Sequence, residues 1–170
     1  MKQIPIGGIK GKGLYAIIDD IDFALVSRFT WHITRKGYVE ARVSVKLKSK
    51  YNVNGIQIQR LLLWDKISNG LLVDHINGDK LDNRRDNLRL VTMSQSNMNR
   101  RNINFNRRQD ILSKYKGVWW DRNKWRAAIT VAGKKIYLGR FHNEDEAALA
   151  YNKAALLYHG EFACLNQISA

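Results

Sequence analysis

The sequence predicts an α+β chain assembled from small modules rather than one layered domain. Short runs of β-branched and aromatic residues, separated by turn residues, occur near both ends of the chain. An alanine-rich, helix-length segment follows the last of them, and between residues 97 and 116 the composition shifts abruptly to Arg and Asn. At 170 residues there is room for one ordinary domain or two to three small modules. A content of 45% apolar and 10% aromatic residues is that of a folding chain.

Residues 1–54 read as a β-rich module. "LYAIID" and "YVEARVSV" alternate with period two, and Lys36-Gly37 marks a hairpin turn before the second run. Asp20 is placed to cap a short helix through "IDFALVSRF", whose Ile21, Leu25 and Phe29 recur at helical spacing. Residues 55–101 form the next module. The apolar run "IQIQRLLLWDKI" leads to a short strand over Leu71–Val73, which ends on Asp74-His75 where Asn77-Gly78-Asp79 turns the chain. Residues 102–113 are a basic linker, followed by a separate unit over 114–168. In that unit "YKGVWW", "KWRAAITVAG" and "KKIYLGRF" are three strands, with Ala132-Gly133 turning between the last two. Asn143 and Glu146 make a capping box for a helix from Ala147 to Tyr158, which Gly160 ends.

Charge narrows the partner. Lys and Arg number 29 against 15 Asp and Glu, a net +14, which repels itself unless a polyanion offsets it. Nucleic acid fits this excess. A membrane does not, because no apolar run approaches spanning length and no basic amphipathic helix stands out. The start "MKQIPIGGIKGKG" lacks an apolar signal core, so a cytoplasmic location is expected. The lone Cys164, in "FACLN", excludes an internal disulfide and is expected to be a buried thiol. His32, His142 and His159 lie far apart, without zinc-finger spacing, and are expected at the surface or an interface.

Alternation sorts the side chains of the last unit. Trp125, Ala127, Ile129 and Val131, with Ile136 and Leu138, share a face that can pack on the helix stripe of Ala147, Tyr151, Ala154 and Tyr158. Arg126, Ala128, Thr130, Lys135, Tyr137 and Gly139 fall on the opposite, uncovered face. A three-stranded ribbon fits the major groove of duplex DNA. The expected DNA contacts are Arg100, Arg101, Lys116, Trp119, Arg122, Lys124, Arg126, Thr130, Lys135, Tyr137 and Arg140. Over about fifty residues the unit resembles an AP2 DNA-binding domain, through its Tyr-x-Gly-Val start, its Tyr-Leu-Gly-x-Phe strand and its Glu-Ala-Ala-x-Ala-Tyr helix. That resemblance implies a sheet laid into the major groove. Ala128 departs from a position often acidic or polar in plant members, so base preference does not carry over.

"VDHINGDKLDNRRDNLRLVTMSQSNMNR" is similar to an HNH nuclease motif of the ββα-metal class, and with the AP2-like unit the chain resembles phage-type HNH homing endonucleases. Phosphodiester hydrolysis needs a base for water and a cation for the departing oxygen. The resemblance implies His75 as general base, Asp74 as an oxygen ligand of Mg²⁺ or Mn²⁺, and Asn87 as the residue that holds the loop and helps orient the histidine. The family's last ligand position, an Asn or His, falls on Ser96 here, with Asn97 next in line. Three readings follow: Ser96 or a bridging water completes the site, a shifted helix brings Asn97 to the metal, or the site is weakened. A second departure is Gln59, where relatives often carry His. The expected activity is site-specific cutting of double-stranded DNA, nicking one strand, by a monomer with no small-molecule substrate. Such an enzyme, if phage-encoded, works in the cytoplasm of a bacterial host. The rival is a catalytically weakened HNH/AP2 protein that binds DNA as a regulator. RNA binding ranks lower, because the deep major groove of A-form RNA does not admit the sheet.

Overall fold

Four small antiparallel sheets and a few short helices make up the described chain, an α+β arrangement of small modules. The computed structural model describes residues 1–43, 53–100 and 113–168, and divides into two units, Met1–Met93 and Ser94–Ala170.

In the first unit β1 (Lys2–Pro5) pairs antiparallel with β2 (Tyr15–Ile18). The strand β1 carries little local signal, its apolar content being Ile4 with Ile6 just beyond it. Both are buried in the core with Ala16 and Ile18. The helix expected over 21–29 is shorter: a 3-10 turn at Asp20–Asp22 leads into α1 (Phe23–Val26). Asp20 does not cap it; its carboxylate accepts from the N-terminal ammonium at 2.9 Å. The reason lies in the inward face. Asp22 is buried and Ile21 is 81% exposed, so of the Ile21-Leu25-Phe29 stripe only Leu25 and Phe29 pack against the core, both half-buried. Val26 is fully buried beside them, and its carbonyl accepts from the indole of the buried Trp31 at 2.9 Å.

A second sheet has the order β3 (Trp31–Ile33), β4 (Val39–Arg42), β5 (Gly55–Gln57). The β3–β4 hairpin turns at Lys36-Gly37 as expected, closed by Thr34 and Tyr38. Residue 44 onward in "YVEARVSV" lies outside the described residues. The pairing of β4 with β5 carries the sheet across residue 54, so the two stretches share one core. The run after β5 becomes α2 (Ile58–Leu62), whose Ile58, Leu61 and Leu62 are buried in that core. Then β6 (Leu72–His75) and β7 (Leu88–Val91) form a two-stranded sheet. The helix α3 (Met93–Asn99) starts at the last residue of this unit and otherwise belongs to the second.

In the second unit β8 (Val118–Asp121), β9 (Lys124–Val131) and β10 (Lys134–Phe141) form a meander with β9 central, and α4 (Glu144–His159) packs on it. Both hairpin turns have left-handed residues, Arg122-Asn123 and Ala132-Gly133, which match the strand twist. Gly117 is obligatory at the start of the sheet: its φ is +74° and an added Cβ would lie 2.1 Å from the Tyr151 ring. Asn143 caps α4, accepting from the Asp145 amide at 2.7 Å, and Gly160 ends the helix with φ +53°.

Five expectations change here. A register shift between Tyr137 and Gly139 puts Gly139 opposite Ala127, in the core row, and Arg140 opposite Arg126 on the outer face. Tyr158 is exposed while Ala148 and Ala155 join Ala147, Tyr151 and Ala154 in the packed stripe, since a wide sheet contacts a broad arc of helix. Ala128 is buried although it belongs to the outer row, because its methyl is small beside cross-strand Tyr137. Cys164 is half-buried rather than buried, and His159 is buried, its Nε2 3.1 Å from the Thr130 carbonyl oxygen. Among the described residues no helix is long and apolar enough to cross a membrane.

Candidate active site

The strand β6 ends on Asp74 and His75, and the chain turns at once: the Gly78 amide donates to the His75 carbonyl at 3.0 Å. The loop that follows is locked by its own polar side chains. Asn87 accepts from the Asn77 amide at 3.0 Å and donates through Nδ2 to the Asn77 side-chain oxygen at 3.0 Å and the Asp82 carbonyl at 2.7 Å. Asp82 accepts from Asn77 Nδ2 at 3.0 Å and from the Arg84 guanidinium at 2.8 and 2.6 Å. Those contacts, the Arg84 hydrogen bond foremost, hold the Asp82 carboxyl below the usual carboxylate range.

The loop is also fixed from outside. Ile17 of β2 donates to the Leu81 carbonyl and accepts from the Asn83 amide, each at 2.8 Å, and Arg85 places its guanidinium on buried Asp22 at 2.9 and 2.6 Å. Residues more than sixty positions apart thus share one polar cluster. The N-terminal strands act as the frame on which the loop is built.

Asn83 is the residue that faces the histidine. Its Nδ2 donates to the carbonyls of Lys80 and Leu81, both at 3.2 Å, which fixes the amide so that Oδ1 lies 3.2 Å from His75 Nε2. An amide oxygen only accepts, so Nε2 carries the proton and Nδ1 holds the lone pair of the neutral ring. Burial pushes the His75 pKa down, against opposing effects from Asn83 and from Asp74, Asp79 and Asp82. The imidazole is therefore neutral near pH 7 and able to accept a proton. Beside it stands Tyr38, ring centroids 6.4 Å apart, with the Lys80 ammonium 4.3 Å over the Tyr38 ring and bonded to the Lys36 carbonyl at 2.6 Å.

Asp74 lies opposite Arg89 in the β6–β7 ladder, and the two form an ion pair at 3.3 Å, both side chains mostly buried. A carboxylate here is a hard oxygen donor of the kind divalent cations take. Among the described residues no three His, Cys, Asp or Glu side chains converge. Ser96, half-buried, and Asn97, exposed, lie on α3 in the second unit.

The resemblance implies both jobs for Asn87, holding the loop and helping to orient the histidine. The structure divides the work: Asn87 ties the loop, while Asn83 makes the side-chain hydrogen bond to His75. Asp82-Asn83 was visible as part of the pattern, but its partners were not. Gln59 is fully buried and donates to the Gln57 side chain at 2.9 Å.

On the second unit's outer face, Trp119, Arg126 and Arg140 align across the three strands, and Tyr137 and Lys135 continue the face opposite Ala128 and Thr130. The Lys135 ammonium sits 4.2 Å over the Trp119 ring and 5.4 Å over that of Tyr137. Lys124 borders this row and lies 3.3 Å from His142 Nε2, while Arg122 is exposed in the turn. Lys116 is placed differently from the other expected contacts: its ammonium donates inward to the Met98 carbonyl, and burial lowers its pKa. Arg100 is exposed, and Arg101 lies outside the described residues.

Residues 66–98 match the family model described as HNH endonuclease. An uncharacterized HNH endonuclease of Acanthamoeba polyphaga mimivirus is 29% identical over 164 residues, covering 94% of this chain and 78% of that protein. Protein 3.8 of Escherichia phage T7 is 31% identical over 99 residues, covering 57% of this chain and 77% of its own length. An AP2-like ethylene-responsive transcription factor of Arabidopsis thaliana is 43% identical over 53 residues, 31% of this chain but only 15% of that protein. A loop-locked imidazole and carboxylate joined to an exposed basic sheet belong to a DNA-cleaving hydrolase. The chain belongs to the HNH endonucleases and carries an AP2-like DNA-binding region. Nucleases of this family generally use a divalent metal.

Proposed function

We propose that the chain is a site-specific endonuclease of the homing type, which acts as a monomer in the cytoplasm of its host and nicks one strand of duplex DNA. The observation that carries the catalytic half is the buried His75 ring, held by Asn83 with Asp74 beside it. His75 Nδ1 takes a proton from water as the water oxygen attacks phosphorus in line with the departing 3′ oxygen. Asn83 keeps the ring turned and its tautomer fixed during that transfer. The products are a 5′ phosphate and a 3′ hydroxyl. A divalent cation, Mg²⁺ or Mn²⁺, would be held by Asp74 together with Ser96 or Asn97 and would supply charge neutralisation at the scissile phosphate. Arg89 holds the Asp74 carboxylate until then. Arg100 and the outer face of the AP2-like sheet supply phosphate and groove contacts, which separate affinity from sequence choice.

Ser96 at the family's ligand position favours the rival, a catalytically weakened DNA-binding regulator. Supercoiled plasmid carrying candidate sites, incubated with the protein and Mg²⁺ or Mn²⁺ beside a chelator control, separates the two. Metal-dependent nicking is expected. Tight binding with no cutting in either metal would establish the regulator.

A further inference from the structure

The outer face of the AP2-like sheet is not uniformly basic. Asp121 stands at the end of β8, on the same side as Trp119, and one of its carboxylate oxygens lies 2.8 Å from Arg126 Nε and 3.8 Å from Arg140 Nη2. A carboxylate on a surface that meets phosphate is repelled by it, so Asp121 weakens binding to DNA of every sequence unless it does something else. Its geometry shows what that is. Arg126 occupies the middle of a cross-strand row, between Trp119 on one side and Arg140 on the other. The Nε edge of Arg126 is shielded from solvent and faces Asp121 off the N–H axis, so charge rather than a straight hydrogen bond holds it there. The contact of Arg126 with Asp121 is made through Nε, and among the described residues its terminal nitrogens make no protein hydrogen bond. Both side chains keep about a third of their surface exposed, 28% for Arg126 and 32% for Asp121.

A guanidinium anchored through Nε keeps its two terminal nitrogens side by side, with their N–H groups left for another partner. Those two groups form the fork that matches the O6 and N7 acceptors of guanine in the major groove. Anchoring also removes rotamer freedom before DNA arrives, so less is lost on binding. We propose that Asp121 is a positioning residue for specificity: it braces Arg126 to meet a guanine end-on, trading general affinity for discrimination at one base pair. This rests on the reading that the outer face of the sheet binds duplex DNA.

The test uses the full chain, with a chelator to prevent cutting, and selection from a randomised duplex library followed by titration of the selected site against single-base variants. The parent should prefer guanine at one position by about 5- to 150-fold, the range for a good bidentate contact. Asp121→Asn should erase most of that preference while binding an unrelated duplex as tightly as the parent or more tightly. Arg126→Lys, which leaves Asp121 in place, should relax the same position, and it serves if Asp121→Asn melts early. The brace is overturned if Asp121→Asn keeps the full guanine preference, or if Arg126→Lys relaxes no guanine position. A different outcome marks failure of the underlying reading: Lys135→Ala and Tyr137→Ala both binding every duplex like the parent would mean that this face does not touch DNA.

Discussion

At the scale of single residues, the nuclease assignment reduces to whether His75 does chemistry or merely ends a strand. His75→Ala should lose about two to four orders of magnitude in cleavage while binding DNA like the parent, since base catalysis is typically worth that much. Cleavage at the parental rate would remove His75 from the mechanism. Asn83→Ala should leave DNA binding unchanged and lower turnover by about a hundredfold, the effect of a small misplacement of a reacting group. A loss confined to KM would mean that Asn83 positions substrate rather than the imidazole. Asp74 and His75 stand out in the sequence only through the whole motif, with Gly78, Asp82-Asn83 and Asn87-Leu88-Arg89 at fixed distances, because an Asp-His pair alone at a strand end reads as well as a solvated hairpin end. The role of Asn83 was not legible, since this loop contains three Asn residues, Asn77, Asn83 and Asn87, and only folding shows which amide points at the ring.

At the scale of elements, short-range pattern located β2, β4, β6, the three strands of the last unit and the last helix, because alternation and caps are local properties, but it did not mark β1, β3 or β5. What it missed depends on distant partners. The strand β1 exists through pairing with β2, Asp22 turns inward to meet Arg85 across sixty-three positions, and the register shift that brings out Arg140 is a property of two strands together. The locked loop between β6 and β7 carries its own prediction. Asn87→Ala removes the partner of the Asn77 amide, the Asn77 side chain and the Asp82 carbonyl at once, and an orphaned buried group costs about 1–3 kcal/mol. Thermal melting should show a destabilisation of at least that size; an unchanged melting point would mean that backbone contacts alone hold the loop. For α3, one residue turns a side chain by about 100°. Ser96→Asn should therefore raise the affinity for Mg²⁺ if Ser96 fills the ligand position, whereas Asn97→Ala should abolish cutting if the helix register favours its neighbour. Metal titrations of cleavage decide between them, because only one of the two substitutions should act.

For the molecule as a whole, the net charge of +14 and the two DNA-directed parts set the expected behaviour on DNA. Binding by the full chain should weaken roughly three to five decades between 50 and 200 mM salt if it neutralises about six to ten phosphates, and a flat response in a binding titration would contradict a phosphate-tracking protein. Cutting should follow a different logic. The chain contains one Asp-His pair of the HNH kind, and that pair includes one imidazole placed to take a proton. Hydrolysis of a phosphodiester consumes that base once, and the opposite strand runs in the reverse direction some distance away, so one binding event presents only one strand to it. Supercoiled plasmid at limiting protein should thus accumulate as nicked circles, with linear DNA appearing later as a product of separate encounters. A time course on agarose gels measures this directly. If linear molecules appear together with nicked circles from the first time point, and do so with a steep dependence on protein concentration, two chains act together and the monomer reading is wrong.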